Sequence, residues 1–254
     1  MSASQKFWGH RNRAIMQDRY VGDIGDFAKY ALLRCLSYGK RLGVLWYLYP
    51  DEKKSSDGRH IQYLDREADW RYLDENLFDK MKQIVNSDRR SVARVKANSV
   101  LPNAVFVDQP LEITKVPVRC RPEWRWKWFD AAHGRLSECE LIFADPDNGL
   151  FPDDRFRPTV KRSAKSIPES EVRKLSAGDR PVVVYHHNTR CKGGHFAEIA
   201  NWQRRLPGEV YAYYWRRWSN RTFFVLNCEP WMVERLKDFA KRWRTNGELI
   251  LPPE

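Results

Sequence analysis

Leu141-Ile-Phe-Ala-Asp145-Pro146-Asp147-Asn148-Gly149 runs an apolar stretch straight into an acidic turn containing Pro and Gly. A buried parallel strand delivers polar groups to its carboxyl end in this way, and ligands of open α/β sheets sit at those ends. The pattern predicts Asp145 at the strand tip and Asp147 and Asn148 on the turn. Gly149 falls where close backbone approach or a positive φ is required. A carboxylate there can accept a hydrogen bond from an amine or help hold a cation, and the Pro146 ring fixes the turn. The plain alternative is a surface turn, because these are the usual turn residues.

A second constellation is His186-His187-Asn-Thr-Arg190-Cys-Lys-Gly-Gly-His195. Adjacent strand residues point to opposite faces, so both histidines cannot easily reach one ion. A zinc site built from His187, Cys191 and His195 is the weaker reading. Contact of His187 and Arg190 with a phosphate or substrate is the stronger one, helped by the glycine pair that opens a helix. A third set is the carboxylates Asp23, Asp26, Asp57, Asp145 and Asp147. On converging loops they could hold magnesium, activating water for phosphodiester cleavage, with Lys165 and His187 serving the scissile phosphate. Asp108 and Glu112-Ile-Thr-Lys115 also fit an acid, acid-x-lysine pattern that is frequent by chance.

These residues need strands and helices to bring them together. Leu42–Tyr49, 140–145 and Pro181–His186 are continuous apolar runs that each end in polar residues, and Ala104–Asp108 is a shorter one. Helices are expected at Asp26–Tyr38 with Asp26 as the cap, near 74–86, from Pro122 onward, at His195–Leu206 and at 230–244. Residues 209–215 and 221–227, joined by Arg216-Arg-Trp-Ser-Asn220, have hairpin spacing and should be antiparallel. Residues 151–167 read as a long basic loop, and residues 1–20 as a basic arm preceding a single domain over 21–254. The order predicts an α/β, Rossmann-like, mostly parallel sheet closed by an antiparallel C-terminal hairpin. Its parallel strands would gather the polar tips on one rim.

The formal net charge is +12, and the chain carries 11 Trp, 11 Tyr and 12 Phe. Arginine forks grip phosphates and aromatic faces stack on bases, so DNA or RNA is the expected partner. Lys165, Arg190, Arg216, Arg217 and Arg221 are the expected contacts, with Trp215 and Trp218 as stacking rings. Trp124, Trp128, Trp202, Trp231 and Trp243 are expected in the core. A basic but merely solvated surface is the alternative. No apolar run is long enough to span a membrane, and the N-terminus lacks a secretory apolar core. The five cysteines contain no CxxC pair, which argues against a disulfide framework and suits a reducing cytoplasm.

This arrangement of elements resembles the class I S-adenosylmethionine-dependent methyltransferases. Gly22-Asp-Ile-Gly-Asp26-Phe-Ala-Lys29-Tyr30 looks like the N-terminal segment of the ribosomal-RNA adenine methyltransferases of the RlmJ type, in which it opens a helix beside the cofactor. Asp145-Pro146-Asp147-Asn148 occupies the place of the Asp-Pro-Pro-Tyr motif of amino-methylating enzymes. The segment also resembles uncharacterised bacterial proteins with a Gly-Asp-Ile-x-Asp-x-x-Lys-Tyr opening, which carry no known activity. The methyltransferase resemblance implies S-adenosylmethionine as cofactor, contacted by Asp26, Lys29, Tyr30 and Asp57, with Lys29 on its carboxylate and Asp57 on its ribose. It assigns catalysis to Asp145, Pro146, Asp147 and Asn148, and His187 is added from the strand 181–186. Two departures stand out: residues 49–60 hold a single Gly in place of a glycine-rich turn, and Asn148 replaces the motif's aromatic. Phe151 and Tyr185 are the candidate replacements. The readings left open are amine methylation of nucleic acid, magnesium-dependent nucleic-acid cleavage, and nucleic-acid binding without catalysis.

Overall fold

The computed structural model describes residues 18, 20–49, 58–87 and 90–253. The expected arm, apart from residues 18 and 20, and Asp57 lie outside the described residues. The elements in chain order are α1 (Ile24–Leu36), β1 (Leu42–Trp46), α2 (Glu67–Trp70), α3 (Glu75–Val85), α4 (Val92–Ala97), β2 (Ala104–Val107), α5 (Arg121–Arg135) and β3 (Leu141–Asp145). Then follow β4 (Gly149–Phe151), β5 (Ser166–Pro168), α6 (Glu169–Leu175), β6 (Val182–His187), α7 (Gly194–Arg205), β7 (Val210–Trp215), β8 (Arg221–Leu226), α8 (Pro230–Arg242) and β9 (Gly247–Ile250).

Seven strands form one sheet in the order β2-β1-β3-β6-β8-β7-β9. β1 pairs in parallel with β2 and β3, and β3 pairs in parallel with β6. β8 inserts antiparallel between β6 and β7, and β9 runs antiparallel to β7. The fold is thus α/β and Rossmann-like, with the antiparallel strands at its C-terminal end. Strand side chains alternate between the two faces, and each face has its own core. Val44, Trp46, Phe143 and Val183 pack with residues of α1, α3, α4 and α8. Leu45, Ile142, Ala144, Val182 and Val184 pack with residues of α5, α6 and α7. Strands covered on both sides must be apolar throughout, which is why β1 and β3 read as unbroken runs.

From β1 the chain crosses to β2 on one side and returns to β3 on the other. The strand order therefore reverses between β1 and β3, and open α/β sheets bind ligands in the crevice that such a reversal opens at the carboxyl ends. Asp145 ends β3 there, in register with Trp46 of β1.

Three expectations are corrected. Asp23, not Asp26, caps α1: its carboxylate accepts the Asp26 N–H at 2.9 Å, which moves the helix start to Ile24 and puts Asp26 in the first turn. The stretch 151–167 is not a plain loop. Its end pairs with the turn after β3 as a two-stranded parallel sheet, β4 with β5, and two short 3-10 turns lie between them. Trp215, expected on the surface, is fully buried, and its indole N–H donates to the Arg217 carbonyl at 2.8 Å.

Candidate active site at the sheet's switch point

α1 lies across the rim with its first turns toward Asp145. Lys29 is buried, and its Nζ donates to Asp26 Oδ1 at 3.0 Å and to Asp145 Oδ2 at 2.9 Å. The aromatic rings of Tyr30, Phe143 and Tyr185 stand 5.7, 6.0 and 5.7 Å from the ammonium. Burial opposes the charge on Lys29, yet Asp145 and Asp26 outweigh it and hold the ammonium well above the ordinary lysine range. Lys29 thus fixes one oxygen of the strand-tip carboxylate. Its ammonium faces these two carboxylates of the chain itself.

Arg221 is a further correction. Expected on the surface with Arg216 and Arg217, it extends from the start of β8 toward α1. Its guanidinium fills the space that a side chain at position 25 would need: a Cβ on Gly25 would come within 1.6 Å of its Nη1. Tyr185 lies 6.0 Å from the guanidinium carbon. Arg221 Nε is buried and has no hydrogen-bond partner.

The rim thus collects Asp23, Asp26 and Asp145 against Lys29 and Arg221, one formal negative charge in excess when all are ionised. That excess falls on Asp26, whose carboxyl burial pushes up to about 6 although Lys29 pulls the other way. In the unfolded chain its proton leaves near pH 4, in the folded chain near pH 6. Its contribution to stability is therefore intact below about pH 4 and lost as pH rises through about 6. The lost contribution is bounded at about 3 kcal/mol. Urea melts of the wild type and Asp26→Asn should show the variant gaining relative stability between pH 4 and pH 7, with a constant difference above. Parallel curves across that range would refute the assignment.

The turn after Asp145 is clamped from below by His186. Gly149 has φ 87°, and a Cβ there would come within 2.6 Å of both Nδ1 and Cα of His186. The Leu150 N–H donates to His186 Nδ1 at 3.1 Å, so the ring proton sits on Nε2, which faces Glu198 Oε1 at 3.2 Å. Burial opposes ionisation of Glu198, but hydrogen bonds from His186 and Thr189 prevail and hold its carboxyl down to about 2. Asn188 donates through Nδ2 to Glu198, and its Oδ1 accepts from the Thr222 hydroxyl, tying β6, α7 and β8 into one buried network. Neither His186 nor Glu198 was singled out from the sequence for this task. Strand alternation separates His186 from His187 but does not say which turns inward.

A separate buried network holds the β4–β5 pair. Arg125 of α5 grips Glu171 through Nε at 2.8 Å and Nη2 at 2.9 Å, and donates to the carbonyls of Ser163 and Ser166. Tyr47 donates to the same Glu171 at 2.9 Å. Sequence periodicity carries no signal for this pairing of residues far apart in the chain.

The remaining predicted site residues are spread around the rim. Pro146 is buried, Asp147 half-buried and Asn148 exposed. The Asn148 N–H donates to the Lys165 carbonyl at 2.7 Å, and Lys165 Nζ lies 3.4 Å from Asp147. His187 is exposed, with Nδ1 3.5 Å from the Tyr185 hydroxyl. Tyr30 is buried, and its burial pushes its hydroxyl well above the ordinary range. Arg190, Arg216 and Arg217 are exposed. Cys191 is exposed, and His195 Nδ1 lies 2.6 Å from the Tyr214 hydroxyl. Of the acid, acid-x-lysine pattern, Asp108 pairs with Lys96 and Glu112 with Lys115.

No family model matches the chain, and a search of curated proteins finds no match. Among the described residues no group of three or more His, Cys, Asp or Glu side chains could hold a metal ion, and Asp26 and Asp145 are bridged by the Lys29 ammonium. No helix among them is long and apolar enough to cross a membrane.

Proposed function

We propose that the crevice at the β1–β3 switch point binds S-adenosylmethionine and that the chain methylates an amine of a nucleic-acid base. The observation that carries this reading is Asp145: a buried strand-tip carboxylate at the switch point, followed by Pro146 and held through Oδ2 by Lys29. β8, inserted antiparallel between β6 and β7, adds the closing hairpin expected of such an enzyme.

The side chains fit the amino-acid end of that cofactor. Arg221 has a buried, unpartnered Nε beside the first turn of α1, where a carboxylate would be welcome. Asp23 and Asp26, in and just before the same turn, suit an ammonium group. When bound, the cofactor supplies a methyl group on a positively charged sulfur. The chain's part is to place the acceptor. Asp145 accepts a hydrogen bond from the target amine and turns its lone pair toward the methyl, and the Pro146 carbonyl offers a second acceptor. Lys29 holds the Asp145 carboxylate in orientation, while the His186 clamp holds the following turn. Positioning of this kind supplies much of the rate of a bimolecular displacement. The formal charge of +12 and the exposed Arg190, Arg216 and Arg217 support nucleic acid as the acceptor.

Calorimetry with S-adenosylmethionine and with its demethylated product tests the cofactor half. Both should bind, and Arg221→Met should weaken both by about tenfold or more, the loss of a charge-assisted hydrogen bond. No heat at millimolar ligand would remove the reading.

A further inference from the structure

The hairpin tip between β7 and β8 carries a half-exposed indole, Trp218, at 49 % exposure. Its backbone is left-handed, with φ 59°, a conformation that bulky residues rarely adopt and that costs stability. The tip is braced from behind. Buried Trp215 donates to the Arg217 carbonyl, Arg216 N–H donates to the Asn246 carbonyl at 2.9 Å, and Arg217 Nε donates to Asn246 Oδ1 at 3.2 Å. Asn220 accepts from the Tyr214 hydroxyl at 3.0 Å. The indole ring meets His60 and Trp70, each at 5.8 Å, rather than entering the core.

The location matters as much as the exposure. His187 at the end of β6 pairs with Arg221 at the start of β8, so the tip stands at the same rim as Asp145. The His60 carbonyl accepts the Ile24 N–H at 3.0 Å, which ties Trp218's neighbour to the start of α1. Arg59, Arg216 and Arg217 are exposed around it.

We propose that Trp218 is a stacking platform for an unpaired base, so that the nucleic acid this chain binds is single-stranded or locally unpaired. The inference rests on the nucleic-acid half of the function proposed above and narrows its substrate class. A rigid aromatic face flanked by guanidinium groups suits a base on the ring and phosphates on the arginines. A paired base inside a duplex already has neighbours on both faces and offers none to the indole. The strained backbone has its use in presenting the ring outward from a braced tip.

The test measures binding of labelled single-stranded DNA and RNA, and of the matching duplex, without S-adenosylmethionine. Trp218→Leu keeps an apolar contact with Trp70 and removes the aromatic face, and Trp218→Phe restores a smaller face. Wild type should prefer single strands. Trp218→Leu should weaken them by about tenfold or more while leaving the duplex unchanged, and Trp218→Phe should recover most of the loss. The slope of log affinity against log salt should stay unchanged in Trp218→Leu, because no cation is removed. It should fall in Arg216→Ala/Arg217→Ala. Equal single-strand affinity in wild type and Trp218→Leu overturns the proposal, as does an equal loss on single strand and duplex. Single-strand binding without cofactor binding would leave this inference standing and remove the methyl-transfer reading; cofactor binding with no preference for single strands would do the reverse.

Discussion

Replacing Lys29 by Met is expected to cost about 3–5 kcal/mol of stability at pH 8, the penalty for leaving buried charge without its partner. Lys29 bridges Asp26 and Asp145 at 3.0 and 2.9 Å, and all three side chains are nearly enclosed. Methionine has comparable length and fills the space, so the loss reads the charge rather than a cavity. Asp26 and Asp145 would then face each other with Arg221 to offset them, and Asp26, already pushed up by burial and no longer pulled down by Lys29, would hold its proton to higher pH. That gives the variant a signature of its own. In the wild type Asp26 is already protonated below about pH 6. The penalty should therefore be smaller at pH 5 than at pH 8, and the variant should be relatively most stable under mildly acidic conditions. Urea melts at both pH values decide it. A loss below about 1 kcal/mol at pH 8, the range of a surface ion pair, would mean that the cluster is open to water.

The part of this site that was legible in the sequence is the part made of unbroken apolar runs. β1, β3 and β6 are covered on both faces, so their positions and polar tips could be read directly, and Asp145 with them. The β7–β8 hairpin followed from the spacing of two apolar runs. What escaped depended on contacts between distant residues. β4 and β5 have three residues each, too few for any period, and exist because Arg125 and Glu171 hold the segment from α5 and α6. Lys29 lies in a helix expected from the sequence, but its burial follows from where α1 crosses the rim. His186 and His187 were known to face opposite ways. The choice between them is made by Trp202 and Phe224, whose rings pack 5.8 and 5.9 Å from His186 on the inner side. Arg221 was grouped with Arg216 and Arg217 because all three flank a hairpin tip. Only Gly25, with no side chain to exclude the guanidinium, lets it fold back onto α1.

Asp145→Asn is expected to retain a measurable fraction of methyl transfer, whereas Asp145→Ala should lower it by about a hundredfold or more, the cost of a misplaced acceptor. The difference follows from what each side chain keeps. Asparagine still offers a carbonyl oxygen to the amine and fits the space at the end of β3, while losing the ion pair with Lys29. Alanine keeps neither. Because Lys29 would lose one of its two carboxylates in either variant, both should be compared with Asp26→Asn, which removes the other without touching the strand tip. If Asp145 acts on the acceptor, its variants lower the rate at saturating cofactor far more than Asp26→Asn does. The assay supplies S-adenosylmethionine and a chelator to one set of reactions on labelled RNA and DNA, and magnesium alone to a parallel set. Magnesium-dependent cutting by the wild type, abolished in Asp145→Asn and without methyl incorporation, would replace methyl transfer with phosphodiester cleavage, since an amide cannot stand in for an anionic ligand. Neither reaction in the wild type would leave a protein that only binds nucleic acid, with the Lys29 cluster as a brace for the rim.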